Sequence, residues 1–147
     1  MPVRIGPMPD PELARRVAGA RVARLATIDP DGRPHLVPFC FALTGEVLYS
    51  AVDRKPKRSR DLRRLRNLRE RGWATVLVDH YEEDWTALWW VRMRCRARVL
   101  EGGDEAAAAL ALLSEKYPQY RREPPPGPVI ALEVAEWRSW EGAPRDG

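Results

Sequence analysis

The feature that most constrains the fold is a long run of alternating side chains within residues 85–101. Apolar side chains occupy every second position of its central part, namely Trp89, Val91, Met93, Cys95, Ala97 and Val99. The positions between them carry Trp90 and four arginines, Arg92, Arg94, Arg96 and Arg98. Successive side chains of a β-strand point to opposite faces, so this period of two predicts a long strand with one face on the core. The chain must therefore be built around a sheet.

Five further segments have the composition of strands. Residues 22–28 and 33–43 flank the turn sequence Asp29-Pro30-Asp31-Gly32, and Thr44-Gly45 precedes residues 46–52. Residues 73–79 and 129–135 complete the set. Because tight turns join antiparallel strands, the sequence predicts a six-stranded, mainly antiparallel barrel over about residues 22–135. The length of 147 residues indicates a single domain, residues 1–147.

Three accessory helices are predicted around these strands. The first occupies about residues 10–19 behind the helix-start sequence Pro9-Asp10-Pro11-Glu12. The second covers residues 57–71, where leucines form one apolar stripe among arginines, and the third runs from Asp104 to near Lys116. Pro34 and Pro38 interrupt the second strand and cannot donate to a ladder. That strand is therefore at an edge, bulged, or beside a ligand opening.

Positive charge is concentrated in residues 54–71, which hold ten Lys or Arg side chains against two acids, while the whole chain has a net charge of +4. Clustered positive charge indicates an anionic partner: a phosphorylated small molecule, a nucleic acid or the acidic face of another subunit. A solvated basic surface is the simpler alternative. The run that leaves the third strand, residues 48–60, passes through a basic turn into a helix start. Free N–H groups there, with Lys55, Lys57, Arg58 and the Ser50 hydroxyl, are suitable ligands for a phosphate.

Several classes of protein are disfavoured by the sequence. Cys40 and Cys95 are too few for a disulfide framework and are typical of reduced core residues in a cytoplasmic protein. His35 and His80 have no metal-site spacing, so no metal is expected, and no apolar run reaches the length of a membrane span. The chain also lacks a nucleophile elbow and a Gly-rich phosphate loop. The catalytic residues stay unknown, with Tyr49, Tyr81 and His35 as candidates for proton delivery.

Four pieces of the sequence, in order, resemble the pyridoxamine-phosphate-oxidase-like flavin-binding split barrels. They are residues 22–27 with 31–34, residues 35–41, residues 49–60 and residues 89–99. The resemblance is greater still to an actinobacterial subgroup that uses the deazaflavin coenzyme F-420. The segments that carry this second resemblance are residues 53–58, 78–81, 89–92, 116–120 and 124–130. The resemblance implies a six-stranded antiparallel split β-barrel that forms a homodimer with two cofactor sites at the subunit interface.

The resemblance also implies which residues hold the cofactor. Val37, Pro38 and Phe39 match the strand beside the flavin ring. Tyr49 and Ser50 match the strand end near the cofactor phosphate, and Lys57 and Arg58 match the basic pair that grips it, with Lys55 as a near alternative. Trp90 matches the position where the partner's long strand approaches the ring.

The implied activity is that of a coenzyme F-420-dependent reductase which transfers hydride to a small organic substrate. The C-terminal arginine and histidine pattern of the true vitamin oxidase is missing, which argues against pyridoxamine phosphate oxidation. An FMN-binding oxidoreductase and a non-catalytic coenzyme-binding protein are the alternatives. Nucleic acid is disfavoured as a partner, because single-strand binders interleave aromatic platforms with basic residues and none beyond Trp90 is expected beside the arginines of residues 92–98.

Overall fold

The computed structural model describes residues 4–6, 11–52 and 58–143, and for residues 4–6 and 58–62 it describes the backbone. Within these ranges, four α-helices and one 3₁₀ turn, Trp85–Ala87, accompany the strands. The helices are α1 (Pro11–Gly19), α2 (Arg58–Arg71), α3 (Asp104–Lys116) and α4 (Pro118–Arg122). The strands are β1 (Arg4–Gly6), β2 (Ala23–Ile28), β3 (Pro34–Phe39), β4 (Ala42–Thr44), β5 (Val47–Ala51), β6 (Trp73–His80), β7 (Trp89–Leu100) and β8 (Val129–Glu141).

The eight strands of the described part of the chain belong to one sheet, and every pairing between them is antiparallel. Seven of them follow the order β3-β2-β6-β7-β8-β5-β4, and β1 pairs with the far end of β8. The prediction of six strands was therefore wrong in number, although the mainly β, antiparallel character is confirmed. The predicted strand at residues 33–43 is divided into β3 and β4, β1 was missed, and β8 continues to Glu141, beyond the predicted end at residue 135.

The two end strands of the sheet, β3 and β4, are consecutive in the chain. Only Cys40 and Phe41 separate them, so the end of β3 and the start of β4 lie at most about 11 Å apart by chain geometry. The sheet must therefore curl round into a barrel that is split between β3 and β4, and Cys40-Phe41 is called the seam. The position of β3 at a sheet edge agrees with its two prolines, which have no N–H to donate to a neighbour on that side.

The barrel interior is filled by the apolar side chains that alternate along each strand. On β7, Val91, Met93 and Cys95 are fully buried while Arg92, Arg94 and Arg96 are exposed, which confirms the predicted alternation. Leu25, Val76 and Leu132 from neighbouring strands pack against them, and α1 adds Leu13 and Val17. Burial raises the pKa of the Cys95 thiol to about 12, so this cysteine is an inert core residue.

The seam is held by the far end of α3 rather than by sheet hydrogen bonds. The Tyr117 hydroxyl accepts a hydrogen bond from the Phe41 N–H at 3.1 Å and lies 2.9 Å from the Arg21 carbonyl oxygen. Lys116 Nζ donates to the Phe41 carbonyl at 2.9 Å. Burial, with Arg21 nearby, lowers the pKa of Lys116 to about 8.

None of the helices in the described part of the chain is long and apolar enough to cross a membrane.

Candidate cofactor-binding face

The register of five strands builds an exposed surface, the outer face, on the side of the sheet away from the core. One row across it consists of Pro38, Arg24, Leu77, Arg92 and Arg138. The next row consists of Leu36, Ala26, Thr75, Arg94 and Glu136. Apolar side chains therefore lie at the β3 edge, and cations are concentrated on β7 and β8.

The three β3 residues expected beside a cofactor ring do not share one side of the strand. Val37 and Phe39 face the core, and Phe39 is 5% exposed. Pro38 lies on the outer face next to Leu36, which is 66% exposed. A planar ring on the outer face would therefore contact Pro38 and Leu36, and sequence reasoning omitted Leu36.

Trp90 lies on the outer face, near the start of β7, and pairs in register with Asp79 and Trp140. Three strand spacings separate Pro38 on β3 from β7, the strand that carries Trp90, a distance of about 14 Å. Pro38 and Trp90 of one chain therefore lie on separate parts of the outer face.

Three of the four arginines of β7 lie over tryptophan rings. The Arg92 guanidinium lies 5.2 Å from the Trp90 ring centre, and those of Arg94 and Arg96 lie 4.7 and 4.9 Å from the Trp73 ring centre. The expectation that no aromatic platform beyond Trp90 accompanies these arginines was wrong. Trp73 is the first residue of β6 and pairs in register with Arg96 of β7. Because this contact depends on how the two strands pair, the sequence of either strand alone does not predict it.

Tyr49 and Ser50 are neighbours on β5 and point to opposite sides. Ser50 is 3% exposed and pairs with Ile130 of the core, whereas Tyr49 is covered by α3. The Tyr49 hydroxyl donates to Glu105 Oε2 at 2.7 Å, and Arg98 holds both Glu105 oxygens at 2.7 and 2.8 Å. Arg98, helped by Tyr49, lowers the pKa of Glu105 to about 2, while burial raises the pKa of Tyr49. The structure does not bring Tyr49 and Ser50 to one surface with Pro38.

The basic turn between β5 and α2 is the predicted phosphate site. Lys55 and Lys57 lie outside the described residues, and Arg58 is the first residue of α2, its side chain also outside them. The structure gives the two ends of the turn: β5 ends at Ala51, a buried position, and α2 begins at Arg58.

The far half of α2 is fixed to the hairpin between β2 and β3. Asn67 is fully buried, and its amide nitrogen donates to Thr27 Oγ1 at 3.1 Å and to Asp29 Oδ1 at 2.9 Å. Arg71 donates to the Asp29 carbonyl at 3.0 Å. The Asn67 hydrogen bond lowers the pKa of the Asp29 carboxyl. This network sets the direction of α2, and the helix in turn sets where the basic turn enters it.

A separate cavity of about 360 Å³, the end cleft, opens beside the start of β7. Arg16, His80, Trp89 and Glu141 line it together with the 3₁₀ turn. The His80 and Trp89 rings are stacked with centres 6.4 Å apart, and Arg16 lies 3.5 Å from Glu141 Oε1. Sequence reasoning missed this cleft because Arg16 comes from α1, about sixty residues earlier in the chain than His80.

Two of the three candidates for proton delivery, Tyr81 and His35, are more exposed than the third, Tyr49, which is 9% exposed. Tyr81 is 63% exposed in the β6–β7 connection, and His35 is partly buried on β3 opposite Thr27. Within the ranges that the structure describes, no three His, Cys, Asp or Glu side chains are grouped as metal ligands would be.

Solved structures share this architecture. A conserved hypothetical protein of Mycobacterium tuberculosis matches with a TM-score of 0.75 and 21% identity, over 95% of this chain and 91% of that one. An FAD-binding protein of Mesorhizobium loti matches with a TM-score of 0.65 and 20% identity, over 96% and 100%. The heme storage protein HutZ of Vibrio cholerae matches with a TM-score of 0.67 and 17% identity, over 85% and 89%. At these identities the likeness establishes the fold.

A search of the curated proteins finds no match to this chain. The family model described as pyridoxamine 5'-phosphate oxidase matches residues 9–141. That range takes in every described helix and strand except β1, including the split sheet and the outer face. The chain therefore belongs to the pyridoxamine 5'-phosphate oxidase family of split barrels.

Proposed function

We propose that the protein is a coenzyme F-420-dependent oxidoreductase that reduces a small organic substrate. The observation that carries the proposal is the junction between β5 and α2. Five cations, Arg54, Lys55, Lys57, Arg58 and Arg60, are concentrated within seven residues where a buried strand ends and a helix begins. Helix N-termini favour anions, and the coenzyme's tail, a phospholactyl group extended by glutamates, carries more negative charge than a monophosphate.

The residues on the outer face fit a flat, partly apolar ring. Pro38 and Leu36 give β3 an exposed apolar edge. Trp90 offers a separate, aromatic surface, with the Arg92 guanidinium in contact with its ring. In this proposal Lys57 and Arg58 hold the phosphate, with Lys55 beside them. Ser50 and Tyr49 fix the end of β5 from which the turn departs. When bound, the deazaflavin supplies a hydride from its central ring carbon and reacts poorly with oxygen, which favours a reductase over an oxidase.

We also propose that two copies of the chain form a homodimer through the β3 side of the outer face and the start of β7. Leu36 and Ile28 are exposed apolar side chains on this face, at 66% and 38%. A contiguous apolar edge of this kind is commonly covered by a partner. In the dimer, Trp90 of one copy would meet the ring held beside Pro38 of the other. Sedimentation analysis should then give a dimer at micromolar concentration, and a stable monomer would contradict this part of the proposal.

The phosphate role is tested by titrating coenzyme F-420 against the double variant Lys57→Ala, Arg58→Ala. Each charged hydrogen bond is worth about 1.5–3 kcal/mol, so the loss of two should weaken binding by about a hundredfold or more. The matched control is Arg15→Ala, Arg122→Ala, which removes the same charge from exposed positions on α1 and α4. Equal affinity in the two double variants would move the phosphate site away from the basic turn.

An FMN enzyme on the same barrel is the second candidate. The pyridoxamine 5'-phosphate oxidase family and the FAD-binding protein with the same fold favour a flavin. The absorption spectrum of the purified protein separates the candidates. A tightly retained yellow flavin would favour FMN, and a Soret band would mark a heme binder and refute both.

A further inference from the structure

The part of the outer face formed by β6, β7 and β8 contains a small open cleft. Its volume is about 200 Å³, and Thr75, Arg92, Arg94, Glu136 and Arg138 line it. We name it the anion cleft, for the reasons that follow.

The charges around the anion cleft are not balanced. Arg92 lies directly opposite Arg138 in the β7–β8 ladder, and like charges in that position repel each other. Glu136 is the one carboxylate in the lining, and it already accepts a hydrogen bond from Arg138 Nε at 2.9 Å. Among the residues that the structure describes, no acid lies within ion-pair distance of Arg92 or Arg94. Three guanidinium groups against one carboxylate leave a local charge of +2.

The arginines are also held in place before any ligand arrives. The Arg92 guanidinium lies over the Trp90 ring and that of Arg94 over the Trp73 ring, contacts that do not use their N–H groups. The ladder changes register between Arg94 and Cys95, an irregularity that re-aims side chains and is common beside functional sites. Such contacts reduce the side-chain freedom that is lost on binding, which favours affinity.

We propose that the anion cleft binds the phosphate group of a small phosphorylated molecule. A guanidinium fork matches two phosphate oxygens, and the Thr75 hydroxyl supplies a further donor. A phosphate dianion between Arg92 and Arg138 neutralises the charge of +2 and removes their mutual repulsion. The cleft involves β6, β7 and β8, whereas the basic turn follows β5, so the two anion sites use different residues.

The test is calorimetric titration of the full chain with inorganic phosphate at pH 8 and constant ionic strength. Saturable binding is expected for the unaltered protein. The double variant Arg94→Gln, Arg138→Gln should weaken it at least tenfold, while Arg122→Gln, an exposed arginine on α4, should leave it unchanged. Glu136→Gln should strengthen binding severalfold, because it removes the competing carboxylate and releases Arg138.

Three results would overturn the proposal. The first is the absence of saturable phosphate binding, and the second is equal phosphate affinity in all variants. The third is that a short single-stranded oligonucleotide binds more tightly than phosphate and loses that binding in the double variant, since the cleft would then serve a nucleic-acid backbone. Because inorganic phosphate is the probe, failure of the cofactor proposal leaves the outcome unaffected. Far-ultraviolet circular dichroism of each variant confirms that it is folded.

Discussion

Removal of the Tyr117 hydroxyl should destabilise the barrel through the seam. Phe41 is fully buried, and its backbone N–H donates to the Tyr117 oxygen at 3.1 Å. The same hydroxyl lies 2.9 Å from the Arg21 carbonyl and 3.1 Å from the Phe41 carbonyl, but its single proton serves one of them at a time. The Phe41 carbonyl also keeps its bond from Lys116. In Tyr117→Phe the principal loss is therefore a partner for one buried N–H.

A buried donor without a partner costs about 1–3 kcal/mol. For a chain of about 150 residues each kcal/mol lowers Tm by about 2–4 °C, so Tyr117→Phe should unfold roughly 2–12 °C earlier. Urea unfolding followed by tryptophan fluorescence measures the change in free energy. Tyr81→Phe is the matched control, because it deletes the same hydroxyl from a side chain that is 63% exposed. Equal midpoints for the two variants would refute the reasoning, as would unchanged hydrogen exchange at the Phe41 amide.

Two further perturbations test the packing of the end cleft and of α3. Gly142→Ala places a Cβ against the Trp85 carbonyl oxygen, too close for van der Waals contact, and should cost about 1–3 kcal/mol in urea unfolding. Gly102→Ala meets nothing within 4 Å and should be nearly neutral, so equal effects of the two substitutions would contradict the close approach. Glu105→Gln tests the pH dependence of folding stability. Folding lowers the pKa of Glu105 from 4.5 to about 2, so the ionised carboxylate stabilises the folded protein above pH 4.5, and this stabilisation is lost as pH falls towards 2. Thermal melts should show the gap in Tm between the unaltered protein and Glu105→Gln closing over that range, and a gap that is independent of pH would argue against the Arg98–Glu105–Tyr49 network.

Much of the sheet could be predicted, because period-two alternation is a local signal. The run on β7 was strong enough to identify both faces. Pro34 and Pro38 limited β3 to an edge, a bulge or a ligand opening, and the structure places it at an edge. The division of residues 33–43 was not predictable, since Phe39, Cys40, Phe41 and Ala42 continue the apolar pattern across the seam. β1 is three residues long and has no periodicity to read.

The site was less predictable than the sheet because its contacts join distant segments. The stacking of Arg94 and Arg96 on Trp73 depends on the β6–β7 register. The covering of Tyr49 by α3 depends on Glu105, which lies 56 positions later in the chain. Neither contact leaves a mark in the local sequence of one segment. Alternation does separate Tyr49 from Ser50 and Pro38 from its neighbours, so that much was available from the pattern.

The central claim, that this split barrel uses a deazaflavin, is tested most directly by paired fluorescence titrations of the purified protein with coenzyme F-420 and with FMN. The account predicts tighter binding of coenzyme F-420, because the cations of the basic turn suit its longer anionic tail, and a loss of this preference in Lys57→Ala, Arg58→Ala. Tighter binding of FMN would contradict the claim and would leave the family assignment intact.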